Sequence, residues 1–354
     1  AAAMALATLV PAAGLSPKLL DIIDPVRRVK PSTLSQEICD PDDVSFAAIT
    51  QQVCQINWVL AFKAYKFELL KQVGCWSMKA YNTDPFLSSA VYQRGDRCLL
   101  SMSGYHGKLV GMERAAVSLA WPPRRWDVCG SSTYAPFVRL LRHHTSLTTW
   151  RNITEALGSP GCRHITIAAE SLGGSMGEVL AACANMGRLH EVQDDGMVSF
   201  KVHQLYTYGA PAASVEPIRN PLRDDGCFPG KRIYTEGDPI AGMGSILRLK
   251  HSRMDAVELF HSRNQVAKME FPCLSDDAVV DTRHKAPPMP ETSLTMNSSD
   301  PSHHEISTYI EDLQFLRQTG QGVGGDTELD LTAKPGEVGG HVMADYAGML
   351  RAAL

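Results

Sequence analysis

Ser171 is the residue of this sequence whose surroundings best suit it for chemistry. It stands in Ile165-Thr-Ile-Ala-Ala-Glu-Ser-Leu-Gly-Gly-Ser-Met-Gly177, where an apolar run leads into small residues and then into a helical pattern, with Met176, Val179, Leu180 and Cys183 at i, i+3, i+4 and i+7. A serine on so sharp a strand-to-helix turn presents its hydroxyl at the end of a sheet, the arrangement of a nucleophile elbow. The turn is tolerated only where the residues two before and two after the serine are small. Ala169 and Gly173 meet that demand, and Gly174 extends it. The elbow also aims the backbone N–H of Leu172 and the positive end of the helix at the point where an oxyanion develops during attack on a carbonyl. The chemistry such a group performs is acyl transfer through a covalent serine ester. Taken alone, the Ala-x-Ser-x-Gly match also fits a plain tight βα connection; the GxGxxG of a dinucleotide site and the GK[ST] of a P-loop are both absent.

The elements that must carry this serine can be read from periodicity. Phe46, Ile49, Val53, Ile56, Leu60, Ala64, Phe67 and Leu70 predict one long amphipathic helix from Asp43 to Val73, stopped by Gly74 and packed on the core rather than lying on a membrane. Ala90–Arg94 and Arg97–Met102 flank Gly95-Asp96 as a hairpin. Tyr134–Leu157 reads as a helix, broken by Gly158-Ser-Pro-Gly161 before a strand over His164–Ala169. Further strands are expected at Val202–Tyr208, closed by Gly209-Ala-Pro, and at Lys231–Thr235, closed by Gly237-Asp-Pro. This alternation predicts an α/β fold with a mostly parallel, doubly wound sheet and flanking helices. Thr282–Ser302 is rich in Pro, Ser and Thr, Gly320–Gly325 is a Gly-rich break, and His341–Leu354 is expected to form a terminal helix. The expected organisation is an N-terminal extension over 1–42, the α/β domain over 43–312, and a C-terminal linker and helix over 313–354.

A net charge of -4 and the lack of Lys/Arg runs leave no electrostatic footprint for nucleic acid, so no nucleic-acid partner is expected. Ala1–Leu15 is apolar but too short to span a bilayer, and no transmembrane segment is expected. The start at Ala rather than Met reads as a processed chain, secreted or organellar and peripheral to a membrane, although a trimmed chain would look the same. Nine cysteines are an odd number without CxxC spacing, so at least one is left without a partner in the chain and no metal site is expected. Asn152-Ile-Thr and Asn297-Ser-Ser are glycosylation triplets that matter only in a secretory compartment. His143 and His144 lack an acidic partner at i+4, and His251 and His261 lie in polar contexts; all four read as ordinary core or surface residues.

Ala169-Glu170-Ser171-Leu172-Gly173-Gly174 resembles the GHSLGG elbow of the class 3 lipases, and further segments follow in that family's order. Tyr206-Thr-Tyr-Gly-Ala-Pro211 is similar to the family's TFGxP strand. Arg232-Ile-Tyr-Thr-Glu-Gly-Asp238 resembles the strand whose terminal Asp orients the catalytic histidine, and His304-Glu-Ile-Ser-Thr-Tyr309 the histidine with its tyrosine at a helix start. Leu99-Leu-Ser-Met-Ser-Gly104-Tyr105 aligns with the strand ending in RGT, and His106–Cys129, with its Trp126, occupies the place of the family's lid. The resemblance covers about residues 44 to 310 and has the Ser, Asp, His order of α/β-hydrolases.

The resemblance implies an ester hydrolase without cofactor, acting on acylglycerols or polar glycerolipids at a membrane or lipid-droplet surface. Ser171, Asp238 and His304 would form the triad, with His303 one residue out of register. The N–H groups of Leu172 and Tyr105 would form the oxyanion hole. Two positions depart from the family: Ser103-Gly104-Tyr105 replaces RGT, and Glu170 replaces the histidine before the nucleophile. A carboxylate at 170 aimed into the site would oppose an oxyanion; aimed elsewhere it would be harmless. These departures and the long C-terminal tail motivate the alternative of a catalytically silent, lipase-like subunit serving as a scaffold or lipid-binding part of a larger assembly.

Overall fold

The apolar runs assemble into one mixed sheet. The computed structural model describes residues 39–56, 67–84, 87–104, 125–194, 196–235, 238, 240–241, 249–262, 265–273 and 306–319, all within one compact unit, Ile38–Leu354. In chain order the elements are α1 (Asp43–Cys54), α2 (Phe67–Leu70), β1 (Gln72–Val73), β2 (Trp76–Thr83), β3 (Leu87–Arg94), β4 (Arg97–Gly104), β5 (Arg125–Val128), β6 (Ser131–Tyr134), α3 (Ala135–Thr145), α4 (Trp150–Leu157), β7 (His164–Glu170), α5 (Leu172–Met186), β8 (Gln204–Tyr208), β9 (Phe228–Thr235), β10 (Met254–Ser262), β11 (Gln265–Phe271) and α6 (Ile306–Thr319).

Among the described residues the sheet order is β1-β2-β3-β4-β7-β8-β9-β10-β11, with β5 and β6 forming a separate hairpin. The five central strands β4, β7, β8, β9 and β10 run parallel, while β1 to β4 form an antiparallel meander at one edge and β10 pairs antiparallel with β11 at the other. The parallel centre and the flanking helices are as expected; β1 and β2 at one edge and β10 and β11 at the other are strands that the sequence reading did not include, and they make the sheet mixed. Leu99, Leu100 and Met102 on β4 and Ile165, Ile167, Ala168 and Ala169 on β7 are buried on both faces, as strands covered on two sides must be. Helix α1 packs against β4 and β7 on one face, with α6 beside it; α5 packs against the same two strands on the other, with α3 behind it. The winding is therefore double.

Two helices are shorter than periodicity predicts. Asp42 caps α1 by accepting from the Ser45 N–H at 2.8 Å, but the helix ends at Cys54, where the Gln55 N–H turns back to the Gln52 and Val53 carbonyls. The expected helix over 43–73 is thus not continuous, since Gln72–Val73 already belongs to the sheet and pairs with Trp76–Ser77. The expected helix over 134–157 is two, α3 and α4, divided at residues 146–149; the Ser146 N–H closes α3 on the Arg142 carbonyl. Helix α6 runs through the boundary placed at 312. The expected terminal helix over 341–354 lies outside the described residues.

Four disulfides, Cys39–Cys75, Cys98–Cys162, Cys129–Cys183 and Cys227–Cys273, join segments 36 to 64 residues apart, and Cys54 is the cysteine left over. Each removes loop-closure entropy from the unfolded chain, about 4 kcal/mol for loops of this length in the chain-entropy picture. Cys129 and Gly130 form the two-residue turn between β5 and β6 with φ of 47° and 72°, a type I′ geometry that favours Gly or Asn at both places. The bond to Cys183 on α5 accounts for a cysteine there. No described helix is long and apolar enough to cross a membrane.

Candidate active site

The parallel centre brings the loops after β4, β7, β8 and β9 to one edge of the sheet, the edge where open α/β sheets carry their sites. Ser171 lies there, between the end of β7 and the start of α5, with φ 54° and ψ -132°. A non-glycine residue in that region costs of order 1–3 kcal/mol and persists only where its surroundings over-determine it. Here the Ser171 N–H donates to the Tyr208 carbonyl at the end of β8 (2.9 Å), and the Ser171 carbonyl accepts from the Gly174 N–H (2.9 Å). The residue is neither fully buried nor fully exposed.

The small residues around it are each fixed by a neighbour. A Cβ on Gly173 would sit 2.8 Å from the Met102 carbonyl oxygen of β4, and one on Gly174 would sit 2.4 Å from the Ala210 methyl. Ala169 faces α5, where even a methyl on Gly177 would come within 3.1 Å of its Cβ. The crowding that admits only small residues at 169, 173 and 174 therefore comes from β4, α5 and the chain after β8, as well as from the turn itself.

Leu172 begins α5, and its N–H faces the end of β4: a Cβ on Gly104 would lie 3.5 Å from the Leu172 nitrogen and 3.4 Å from its Cβ. The residue following Gly104 is Tyr105, which lies outside the described residues. Leu172 thus starts α5 beside the end of β4.

Glu170 does not share the serine's surroundings. Its side chain is fully buried, and its Oε2 accepts from the Ser103 hydroxyl at 2.7 Å with the Cys54 thiol at 3.6 Å; the same thiol lies 2.5 Å from Ser103 Oγ. Ser103 and Glu170 are register partners in the parallel β4–β7 pair, and Cys54 ends α1, so this cluster lies under the sheet on the α1 side. The expectation left open at this position is answered: the carboxyl group ties the strand that leads into Ser171 to the strand that leads to Gly104. Glu170→Ala should accordingly lower stability by about 2–3 kcal/mol, since it removes the nearer acceptor of the Ser103 hydroxyl, leaving the Gly104 carbonyl at 3.2 Å, and empties the space. Glu170→Gln, which keeps an acceptor, should lose less, and its rate on a soluble ester should stay within a few-fold of wild type. A tenfold rate gain in the Gln variant would show instead that the carboxylate acts on the reacting atoms.

Asp238 follows β9, two strands from Ser171 in the sheet order, and is buried. Its N–H donates to the Thr235 carbonyl at 3.1 Å. Its Oδ1 accepts from the Ile240 and Ala241 N–H groups at 2.8 and 3.2 Å, and its Oδ2 accepts from the Tyr309 hydroxyl at 2.6 Å. Two amides and a phenol hold the carboxyl group in one orientation. Burial, then the neighbouring Asp238 charge, pushes the Tyr309 phenol well above its ordinary pKa, so it stays a donor. Tyr309 sits in the first turns of α6, edge-on to Tyr208, whose own hydroxyl donates to the Asp43 carbonyl at 2.6 Å. His303 and His304 lie outside the described residues, just before Ile306.

Sequence reasoning used Tyr309 only as a register mark, and the contact with Asp238 was not foreseen; nor were Ser103 and Cys54 as partners of Glu170. It also passed over an interior trio. His144 is fully buried, with Nδ1 2.5 Å from Asp84 Oδ2 and Nε2 2.8 Å from Ser89 Oγ and 3.1 Å from Asn82 Nδ2. This Ser-His-Asp geometry has all three members in the interior among the described residues, and it welds the β2–β3 hairpin to the end of α3. His144 is a core residue, as expected, and its acidic partner, absent at i+4, is Asp84, 60 residues away. His251 is partly buried beside Glu178, its pKa lowered by burial and then by Arg232.

No protein-family model matches the sequence, and no curated relative does. Solved structures that resemble the chain include a lipase from Rhizopus microsporus var. chinensis (14% identity, covering 65% of this chain and 77% of that one, TM-score 0.44) and lipase II from Rhizopus niveus (15%, 68% and 89%, 0.43). A third is the triacylglyceride lipase of Rhizomucor miehei (12%, 67% and 88%, 0.44). The assignment of fold rests on the sheet order, the double winding and the strained serine at the end of the central strand: the chain has an α/β-hydrolase fold.

Proposed function

We propose that the chain is a serine hydrolase of carboxylic esters, acting on acylglycerols or polar glycerolipids through an acyl-enzyme. Ser171 attacks the carbonyl while His304 takes its proton, Asp238 holds the imidazole in the required tautomer, and the N–H groups of Leu172 and Tyr105 receive the oxyanion. His304 then returns the proton to the departing alcohol, and a water molecule, activated by the same imidazole, releases the acyl group. The single observation that carries this reading is the backbone of Ser171: φ 54° and ψ -132° at a residue other than glycine. A scaffold gains nothing from that strain, whereas a nucleophile held up from a helix start needs it.

The lid belongs to the same reading, in narrower form. Of the stretch 106–129, residues 125–129 are strand and turn, anchored to α5 by Cys129–Cys183, and Trp126 is partly buried with the Arg142 guanidinium 5.2 Å from its ring centre. A cover over the site would therefore come from residues 106–124, with the hairpin as its fixed end.

A fluorophosphonate reacts only with a serine activated by its neighbours. Incubated with the full chain in detergent, it should give one adduct by intact mass, mapped to Ser171. No adduct, with a known lipase fully labelled in the same tube, would replace this reading with that of the silent, lipase-like scaffold.

A further inference from the structure

We infer that Asn152 is an N-glycosylation site, carrying an oligosaccharide added during passage through an oxidising secretory compartment. Two independent observations meet at this residue. The first concerns compartment: four cysteine pairs stand with Cα atoms 5.0, 5.3, 5.0 and 6.2 Å apart, bonded through sulfur, and take up every described cysteine but Cys54. Disulfides at this density form and persist in the secretory pathway and outside the cell, not among reduced cytosolic thiols. The second concerns access. Asn152-Ile153-Thr154 is an acceptor triplet, and Asn152 is exposed in the first turn of α4 between exposed Arg151 and Glu155. The helix buries the opposite side, through Trp150, Ile153 and Leu157. A glycan at 152 would extend into water and displace nothing.

The structure also fixes the order of events. Thr154, whose hydroxyl the acceptor triplet requires, is fully buried in the folded chain and donates to the Arg151 carbonyl at 3.0 Å. Transfer therefore precedes the formation of α4. In that step the Asn152 Nδ2 attacks the anomeric carbon of an oligosaccharide carried on a lipid diphosphate. The new bond is C–N, the bond broken is that between the anomeric carbon and a phosphate oxygen, the lipid diphosphate departs with the electron pair, and the amide releases one proton.

The test is independent of any esterase activity. The full chain is made in a eukaryotic secretory host and collected from cells and medium together. It is then treated with a peptide amidase that removes N-glycans in heavy-oxygen water, which leaves an isotopically marked aspartate at position 152 wherever a glycan stood. The expected result is the mark in most copies of the tryptic peptide Asn152–Arg163, a drop in apparent mass on deglycosylation, and loss of that mark in Asn152→Gln. The Asn297 triplet is read from its own peptide and does not enter the result. Alkylation before reduction should label one cysteine, Cys54, and after reduction all nine. An unmarked peptide from chains whose disulfides are closed would overturn the assignment, as would nine reactive thiols before reduction.

Discussion

Ser171→Ala should remove ester turnover, by roughly 10⁴-fold or more, while leaving the fold in place. Alanine fits the elbow as serine does: the crowding that excludes larger residues falls on positions 169, 173 and 174, and the two backbone bonds of Ser171 to Tyr208 and Gly174 do not involve its hydroxyl. The variant should therefore melt near wild type and show no fluorophosphonate adduct. Ser171→Gly separates strain from chemistry. It should be equally inactive but more stable, by about 1 kcal/mol, because glycine adopts φ 54°, ψ -132° freely and the relief exceeds its extra unfolded-state entropy. Turnover of a chromogenic ester and thermal melting, measured together on both variants, decide the matter. Full activity in folded Ser171→Ala would place the nucleophile elsewhere, and a glycine variant less stable than wild type would show that the backbone at 171 is not strained.

The elbow was legible in the sequence because its constraints are local: small residues at 169, 173 and 174 and an amphipathic helix after 175 lie within one window. The central strands β7, β8 and β9 were legible for a similar reason, each holding a short run of aliphatic, aromatic or β-branched residues with a Gly within three positions of its end. What could not be read were pairings across the chain. Glu170 beside a serine looks like a charge in the site, and only the sheet register, which sets it opposite Ser103 and under Cys54 from α1, sends it to the other face. His144 and Asp84 are invisible to any search at helical spacing for the same reason. Strand β10 was missed because it reads Met-Asp-Ala-Val-Glu-Leu-Phe-His-Ser, apolar and charged residues mixed, and its pairing with β9 through Val257↔Ile233 and Leu259↔Thr235 is a tertiary fact. The break between α3 and α4 falls at Ser-Leu-Thr-Thr, which holds neither Gly nor Pro to announce it; Thr149 there bonds Asn82 of β2.

Asp238→Asn should reduce kcat by roughly 10⁴-fold, the size expected when the carboxylate that fixes a catalytic imidazole is made neutral and its tautomer is lost. The surroundings of Asp238 also predict a cost in stability. Three donors converge on its two oxygens: the N–H groups of Ile240 and Ala241 on one and the Tyr309 hydroxyl on the other. An asparagine has one oxygen to offer, so either the amides or the phenol must face an NH₂ group, at a cost of about 1–3 kcal/mol. The phenol is the partner that can turn and accept, hence the oxygen should stay with the amides. Tyr309→Phe measures the phenol alone: the carboxylate keeps its charge and its two amides, so stability should fall by about 1 kcal/mol and the rate by no more than about tenfold. A purely structural Asp238 would make the rates of these two variants follow their melting temperatures. An orienting Asp238 would separate them, with Asp238→Asn folded but almost inactive and Tyr309→Phe folded and active. The same assay applied to His304→Ala and His303→Ala should give the Asp238→Asn phenotype for the first and near wild-type turnover for the second. Folded Asp238→Asn within tenfold of wild type would remove Asp238 from the triad, and loss confined to His303→Ala would move the base by one residue.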